Sequence, residues 1–120
     1  MRVTENDTYP ERRDALSSDW IRYIKKILPG AVLIPLVNDP QNVIRTIKEL
    51  KIDGVILSNG NDWGEAKERD ETEREIVDYC VKNRLPILGV CRGFQVLNIL
   101  FGGKLDKNIS GKVHENHAGT

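Results

Sequence analysis

One stretch constrains this chain more than any other: an apolar run that stops at a cysteine between two glycines and continues at once as a helical pattern. It reads Leu85-Pro-Ile-Leu-Gly-Val-Cys91-Arg-Gly-Phe-Gln-Val-Leu-Asn-Ile-Leu-Phe101. A strand that ends in Gly-x-Cys-x-Gly and turns directly into a helix is a nucleophile elbow with sulfur in place of serine. Gly89 and Gly93 carry no side-chain bulk, so the turn can be tight and the thiol can sit at its crest. The helix that follows points its amino end at the sulfur, a place that favours an anion. Such a thiol is built to attack a carbonyl. The plainer alternative is a small core residue, since free cysteine is among the most buried residue types. The paired glycines and the strand-to-helix position favour the nucleophile.

Around this elbow the chain alternates between strand and helix patterns. Pro10 opens a helical pattern with Leu16, Trp20, Ile21, Ile24, Ile27 and Leu28 on one face, closed by Pro29-Gly30. The continuous apolar run from Ala31 to Val37 predicts a strand covered on both faces, with Pro35 near its end or at a sheet edge. Asp39 caps a second helix with Pro40 in its first turn and Val43, Ile44, Ile47 and Leu50 at helical spacing. Val55-Ile56-Leu57 is a short buried strand, followed by a polar loop from Ser58 to Glu65.

Thr72 to Arg84 predicts a third helix with Ile76, Val77, Cys80 and Val81 inward and its charges in water. Pro86 to Val90 is the last strand, and Arg92 to Phe101 a fourth helix ended by Gly102-Gly103. This alternation predicts an α/β fold: an open, mostly parallel sheet with helices on both faces. Arg2 to Tyr9 reads as a loop, and Lys104 to Thr120 has little hydrophobic periodicity. The sheet is therefore expected to be incomplete at both ends, with residues 1–120 forming one partial domain.

Charge excludes several partners. Eighteen basic residues balance eighteen acidic ones and are interspersed, which leaves no electrostatic footprint for nucleic acid or an anionic membrane. The longest apolar stretch is too short to span a bilayer and the amino terminus has no signal-peptide pattern, so the expected location is the cytoplasm. Two cysteines make no disulfide framework, and Cys80 reads as packing. The histidines are His114 and His117, and no cluster has metal-ligand spacing, so neither metal nor cofactor is implied.

A second motif follows the middle strand: Asp53-Gly-Val-Ile-Leu-Ser-Asn-Gly-Asn-Asp62. In an open parallel sheet, functional loops gather at the carboxyl ends of strands, so this loop and Cys91 belong on one edge. The backbone N–H of Gly60 and that of Arg92, just after the nucleophile, are candidate oxyanion donors. Taken in isolation, Ser-Asn-Gly-Asn reads rather as a plain solvated turn.

Taken together these stretches resemble the class I glutamine amidotransferase family and, within it, the peptidase C26 branch of γ-glutamyl hydrolases. The likeness is carried by Asp53-Gly54 to Asp62, the Arg69-Asp70 pair, Pro86 to Gln95, and Asn98 to Leu105 with its Gly-Gly. The segment Asn6 to Trp20 resembles a narrower group that includes the γ-glutamyl-CDP-amidate hydrolases of capsule phosphoramidate synthesis.

The resemblance implies a flavodoxin-like sheet and a small-molecule partner, glutamine or a γ-glutamyl conjugate. Cys91 would attack the γ-carbonyl, form a thioester and release ammonia or an amine, with water then freeing glutamate. Gly60 and Arg92 would hold the oxyanion, and Gln95 and Asn59 match positions at the glutamyl group. Asn59-Gly60 stands where the family usually has Gly-Gly; asparagine tolerates the left-handed region that such a turn uses. The family's base is a histidine in a His-x-Glu pattern well beyond the nucleophile helix. The chain stops before such a pattern, and His114-Glu115 or His117 are what remain to fill the role. The expectation is a part of a longer enzyme, inactive alone. The alternative is a catalytically incomplete subunit that binds a synthetase domain or subunit. A flavodoxin-like nucleotide binder ranks last, because no Gly-rich phosphate loop opens a helix.

Overall fold

The apolar triplet Val55-Ile56-Leu57, whose first two residues are β-branched, and the run Ile87-Leu88-Gly89 meet as a parallel pair. The computed structural model describes residues 1–6, 8 and 10–103. Its elements are β1 (Arg2–Glu5), β2 (Arg12–Ala15), α1 (Asp19–Ile27), α2 (Val43–Glu49), β3 (Val55–Leu57), α3 (Lys67–Asn83), β4 (Ile87–Gly89) and α4 (Arg92–Leu100). β3 and β4 are in register Val55 to Ile87, Ile56 to Leu88 and Leu57 to Gly89. A parallel pair needs a crossover, and α3 supplies it. α3 ends where Arg84 takes a left-handed φ of 55° and Leu85 N–H donates to the Cys80 carbonyl at 2.9 Å. Val43 and Ile47 of α2, Val55 and Leu57 of β3, Ile76, Val77 and Cys80 of α3 and Val96 of α4 form one buried cluster.

The structure departs from the sequence-based expectations along much of the chain before β3 and again in α3. Arg2 to Tyr9 is not all loop: β1 pairs antiparallel with β2, Arg2 opposite Ala15 and Glu5 opposite Arg12. Those pairings take residues 12–15 out of the helix expected from Pro10, and α1 begins at Asp19. Asn38 helps hold the hairpin, since its N–H and Nδ2 donate to the Asp14 carboxylate at 2.7 and 2.8 Å. Of the predicted apolar face, Ile24 is buried, whereas Ile21, Ile27 and Leu28 are about half exposed.

Ala31 to Val37 joins no ladder; among the described residues, parallel pairing is confined to β3 and β4. A strand needs backbone partners as well as apolar side chains. A cavity of about 720 Å³ instead lies among this run, α1 and the β3–β4 pair, lined by Ile24, Leu33, Leu36, Ile56 and Leu88. The two inner helices also shift. Asp39 and Pro40 lie in the turn before α2, where the Asp39 carbonyl accepts from the N–H groups of Asn42 and Val43 at 3.2 and 2.9 Å.

α3 starts at Lys67, five residues ahead of the expected Thr72, and not all its charges face water. Glu73 is buried because it lies three and four residues before Ile76 and Val77, on the same face. Val81 falls at the margin of that stripe and is half exposed. No helix among the described residues is long and apolar enough to cross a membrane.

Candidate active site

The elbow is built by close backbone approach. A Cβ on Gly93 would collide with the Leu57 carbonyl oxygen, and one on Gly89 would meet the backbone of Gly93 at 2.5 Å. Glycine at both positions lets the start of α4 sit directly on β3 and β4. Val90 N–H donates to the Leu57 carbonyl at 3.0 Å, extending the ladder by one bond, and Gly93 N–H returns to the Val90 carbonyl at 3.0 Å. Between them Cys91 takes φ 52° and ψ −108° as the N-cap of α4. For a residue with a side chain this region costs on the order of 1–3 kcal/mol and persists only where its surroundings enforce it. The thiol is exposed, whereas Cys80 is buried in the core, and burial pushes the Cys80 thiol up.

The loop after β3 reaches the same sheet edge, because β3 and β4 run parallel and Leu57 is level with Gly89. Gly60 has φ +88°, and a Cβ there would meet the Arg2 side chain at 2.5 Å. The left-handed asparagine of this loop is Asn61, at φ 51°, and not Asn59. Asn61 ties the loop to β1: its Oδ1 accepts from Val3 N–H at 2.8 Å and its Nδ2 donates to the Val3 carbonyl at 3.1 Å. Asn59 is exposed, and its Oδ1 accepts from Trp20 Nε1 at 3.4 Å. Gln95 is exposed one turn into α4, with its N–H bonded to the Cys91 carbonyl at 3.1 Å. Cys91, Arg92, Gln95, Asn59 and Gly60 are thus gathered on the carboxyl edge of β3 and β4.

Beneath this edge lies a four-residue ion network that residue-by-residue reading missed. Arg69 is fully buried, and its Nη2 donates to the Ser58 carbonyl at 2.9 Å, its Nη1 to the Gly60 carbonyl at 2.8 Å and to Asn61 Oδ1 at 3.1 Å. Its Nε stands 3.5 Å from Glu73 Oε1. Arg92, whose backbone N–H is the candidate donor, buries its side chain as well. Its Nη2 donates to Asp70 Oδ1 at 2.9 Å and to Glu73 Oε2 at 2.5 Å. Asp70 Oδ2 also accepts from Gly64 N–H at 2.8 Å. Two cations and two anions balance, which is what burial of such groups requires. Burial pulls the Arg69 guanidinium below its ordinary value, and the Glu73 carboxylate opposes that shift. The Trp63 ring lies 5.9 Å from the Arg92 guanidinium and 5.5 Å from that of Arg74. The signal was present: Arg69 and Glu73 extend the Ile76–Val77–Cys80 face backward at steps of three and four.

His114 and His117, with Glu115, lie outside the described residues. Among the described residues no group of three or more His, Cys, Asp or Glu side chains is placed to hold a metal ion.

A parallel β–α–β unit that carries a strained, exposed cysteine at the strand-to-helix turn defines an α/β protein with a cysteine elbow at its sheet edge. Comparison with known families narrows that class. The chain belongs to the peptidase C26 family, whose family model matches residues 1–120. It is 32% identical over 99% of its length to the γ-glutamyl-CDP-amidate hydrolase of Campylobacter jejuni, covering 58% of that protein. It is 33% identical over 80% of its length to the carbamoyl phosphate synthase small chain of Agrobacterium fabrum, covering 23% of it. With a subunit of the glutamine-hydrolysing GMP synthase of Methanopyrus kandleri it shares 36% identity over 63% of its length, covering 35% of that protein. The chain therefore spans less than two thirds of the length of each of these relatives. No solved structure gives a significant match.

Proposed function

We propose that this chain carries the nucleophile half of a γ-glutamyl amide hydrolase, with glutamine or a γ-glutamyl conjugate as substrate. The β3–β4 pair is then the part of an open, flavodoxin-like sheet that supports the site. The Cys91 sulfur bonds to the γ-carbon, and the carbonyl oxygen becomes an oxyanion facing the N–H groups of Gly60 and Arg92. Arg92 is the first helical residue after the cap, a position whose N–H has no partner within the helix. Collapse of the intermediate breaks the C–N bond, and ammonia or an amine leaves with a proton. Water then adds to the thioester, releases glutamate and restores the thiol. Gln95 and Asn59 contact the glutamyl group.

The observation that carries this reading is the pairing of exposure with strain at Cys91. A cysteine kept for packing would be buried in a relaxed conformation, as Cys80 is. The test is a γ-glutamyl diazoketone, followed by peptide mapping. Modification of Cys91, blocked by excess γ-glutamyl substrate, is expected; an unmodified Cys91 overturns the proposal.

The relation to the small chain of carbamoyl phosphate synthase and to a GMP synthase subunit favours a second reading, in which the chain is a catalytically incomplete subunit of a synthetase-type partner. Glutamate release by the purified protein in the absence of a partner rules it out. No release, together with a co-purifying synthetase, favours it.

A further inference from the structure

The geometry points to Glu73 as a positioning residue that fixes the two halves of the oxyanion site relative to one another; this inference rests on the amide-hydrolase reading above. The Gly60 N–H belongs to the peptide between Asn59 and Gly60. Arg69 holds the carbonyls of the two neighbouring peptides, Ser58 at 2.9 Å on one side and Gly60 at 2.8 Å on the other. The candidate donor is therefore clamped from both sides by a single guanidinium that is itself fully buried. The second donor, the N–H of Arg92, belongs to a residue whose side chain is equally fixed. Glu73 joins the two: Oε1 lies 3.5 Å from Arg69 Nε, and Oε2 accepts from Arg92 Nη2 at 2.5 Å. The last ladder bond runs from Val90 to Leu57; past it the loop leaves the sheet, held from α3 by Arg69 and from β1 by the Asn61–Val3 bonds.

The chemistry of the network separates positioning from simple stability. Without the Glu73 carboxylate, Arg92 keeps Asp70 at 2.9 Å, so the elbow stays charge-paired. Arg69 keeps its three loop contacts but loses its link to the elbow. The loop and the elbow then stay joined through Asp70, which accepts from both Gly64 N–H and Arg92 Nη2, but the bridge from the Arg69 clamp on the Gly60 peptide to Arg92 is lost. A misplacement of about 1 Å costs on the order of a hundredfold in a reaction that depends on alignment. Alkylation of the thiol by iodoacetamide displaces iodide without forming an oxyanion, and is indifferent to that alignment.

The experiment compares wild type, Glu73→Gln, Glu73→Asp and Ile47→Val by the kinetics of Cys91 inactivation with the γ-glutamyl diazoketone and with iodoacetamide. Ile47 is buried in α2, away from the network, and serves as a stability control. Glu73→Gln is expected to lower the limiting rate of diazoketone inactivation by about tenfold to a hundredfold. Its half-saturating concentration and its iodoacetamide rate stay at the wild-type level. Glu73→Asp, which keeps the charge one methylene shorter, falls between, and Ile47→Val matches wild type with both reagents. Equal diazoketone rates in wild type and Glu73→Gln overturn this inference alone. A parallel loss with iodoacetamide, or a matching loss in Ile47→Val, also overturns it, by showing general disordering. If wild-type Cys91 does not react with the diazoketone, the amide-hydrolase reading fails and this inference fails with it.

Discussion

Cys91 holds its side chain in a backbone conformation that L-residues rarely adopt, with φ 52° and ψ −108°. The contacts around it, the Leu57 carbonyl against Gly93 above all, leave the turn no other course. Replacing Cys91 by glycine removes the steric cost of that region, worth on the order of 1–3 kcal/mol, and adds unfolded-state freedom worth roughly 0.5–1 kcal/mol in the other direction. Cys91→Gly is therefore expected to raise the urea midpoint, by about 1 kcal/mol in stability, while abolishing diazoketone labelling at that position. A midpoint below wild type would show that the turn is relaxed. At this scale the sequence was most legible where chemistry and backbone demand coincide, as at Cys91, Gly89 and Gly93. It was least legible for Arg92 and Glu73. Their residue types point to solvent, and their burial rests on a pairing between segments distant in sequence, Arg92 with Asp70 and Glu73, to which Arg69 adds a partner for Glu73 one helical turn away.

α3 does two jobs along one face. Its carboxyl half, through Ile76, Val77 and Cys80, closes the core, and its amino half, through Arg69, Asp70 and Glu73, carries the ion network under the site. The apolar period made the first half readable, while charged residues on the same stripe concealed the second and moved the expected helix start to Thr72.

Cys80 gives the core half a measurable signature. Burial pushes its thiol up, whereas in the unfolded chain the thiol ionises near about pH 8.5. A group whose folded pKa is raised contributes stability that is whole below the unfolded pKa and is lost as pH rises through the folded value. Urea midpoints of wild type are therefore expected to fall more steeply above about pH 8.5 than those of Cys80→Ala. Parallel pH profiles for the two proteins would place Cys80 in water.

For the whole molecule, the β3–α3–β4 unit was legible because both strands are short β-branched or apolar runs bounded by turn residues and joined by a periodic helix. The amino-terminal third was not. Arg12-Arg13-Asp14-Ala15 has no strand pattern of its own and pairs with β1 across a turn, while Ala31 to Val37 has the pattern of a strand without a ladder. Pairing is a property of two segments, and a one-segment pattern cannot supply it.

Membership of the peptidase C26 family and the strained thiol at the edge of β3 and β4 lead to one central claim, a γ-glutamyl thioester on Cys91. The most direct measurement is the intact mass of the protein acid-quenched during reaction with a γ-glutamyl amide, followed by peptide mapping. One glutamyl group on Cys91, released by hydroxylamine and absent from Cys91→Ala, is the predicted result. Undiminished release of glutamate by Cys91→Ala, or a glutamyl adduct at any other residue, would contradict it.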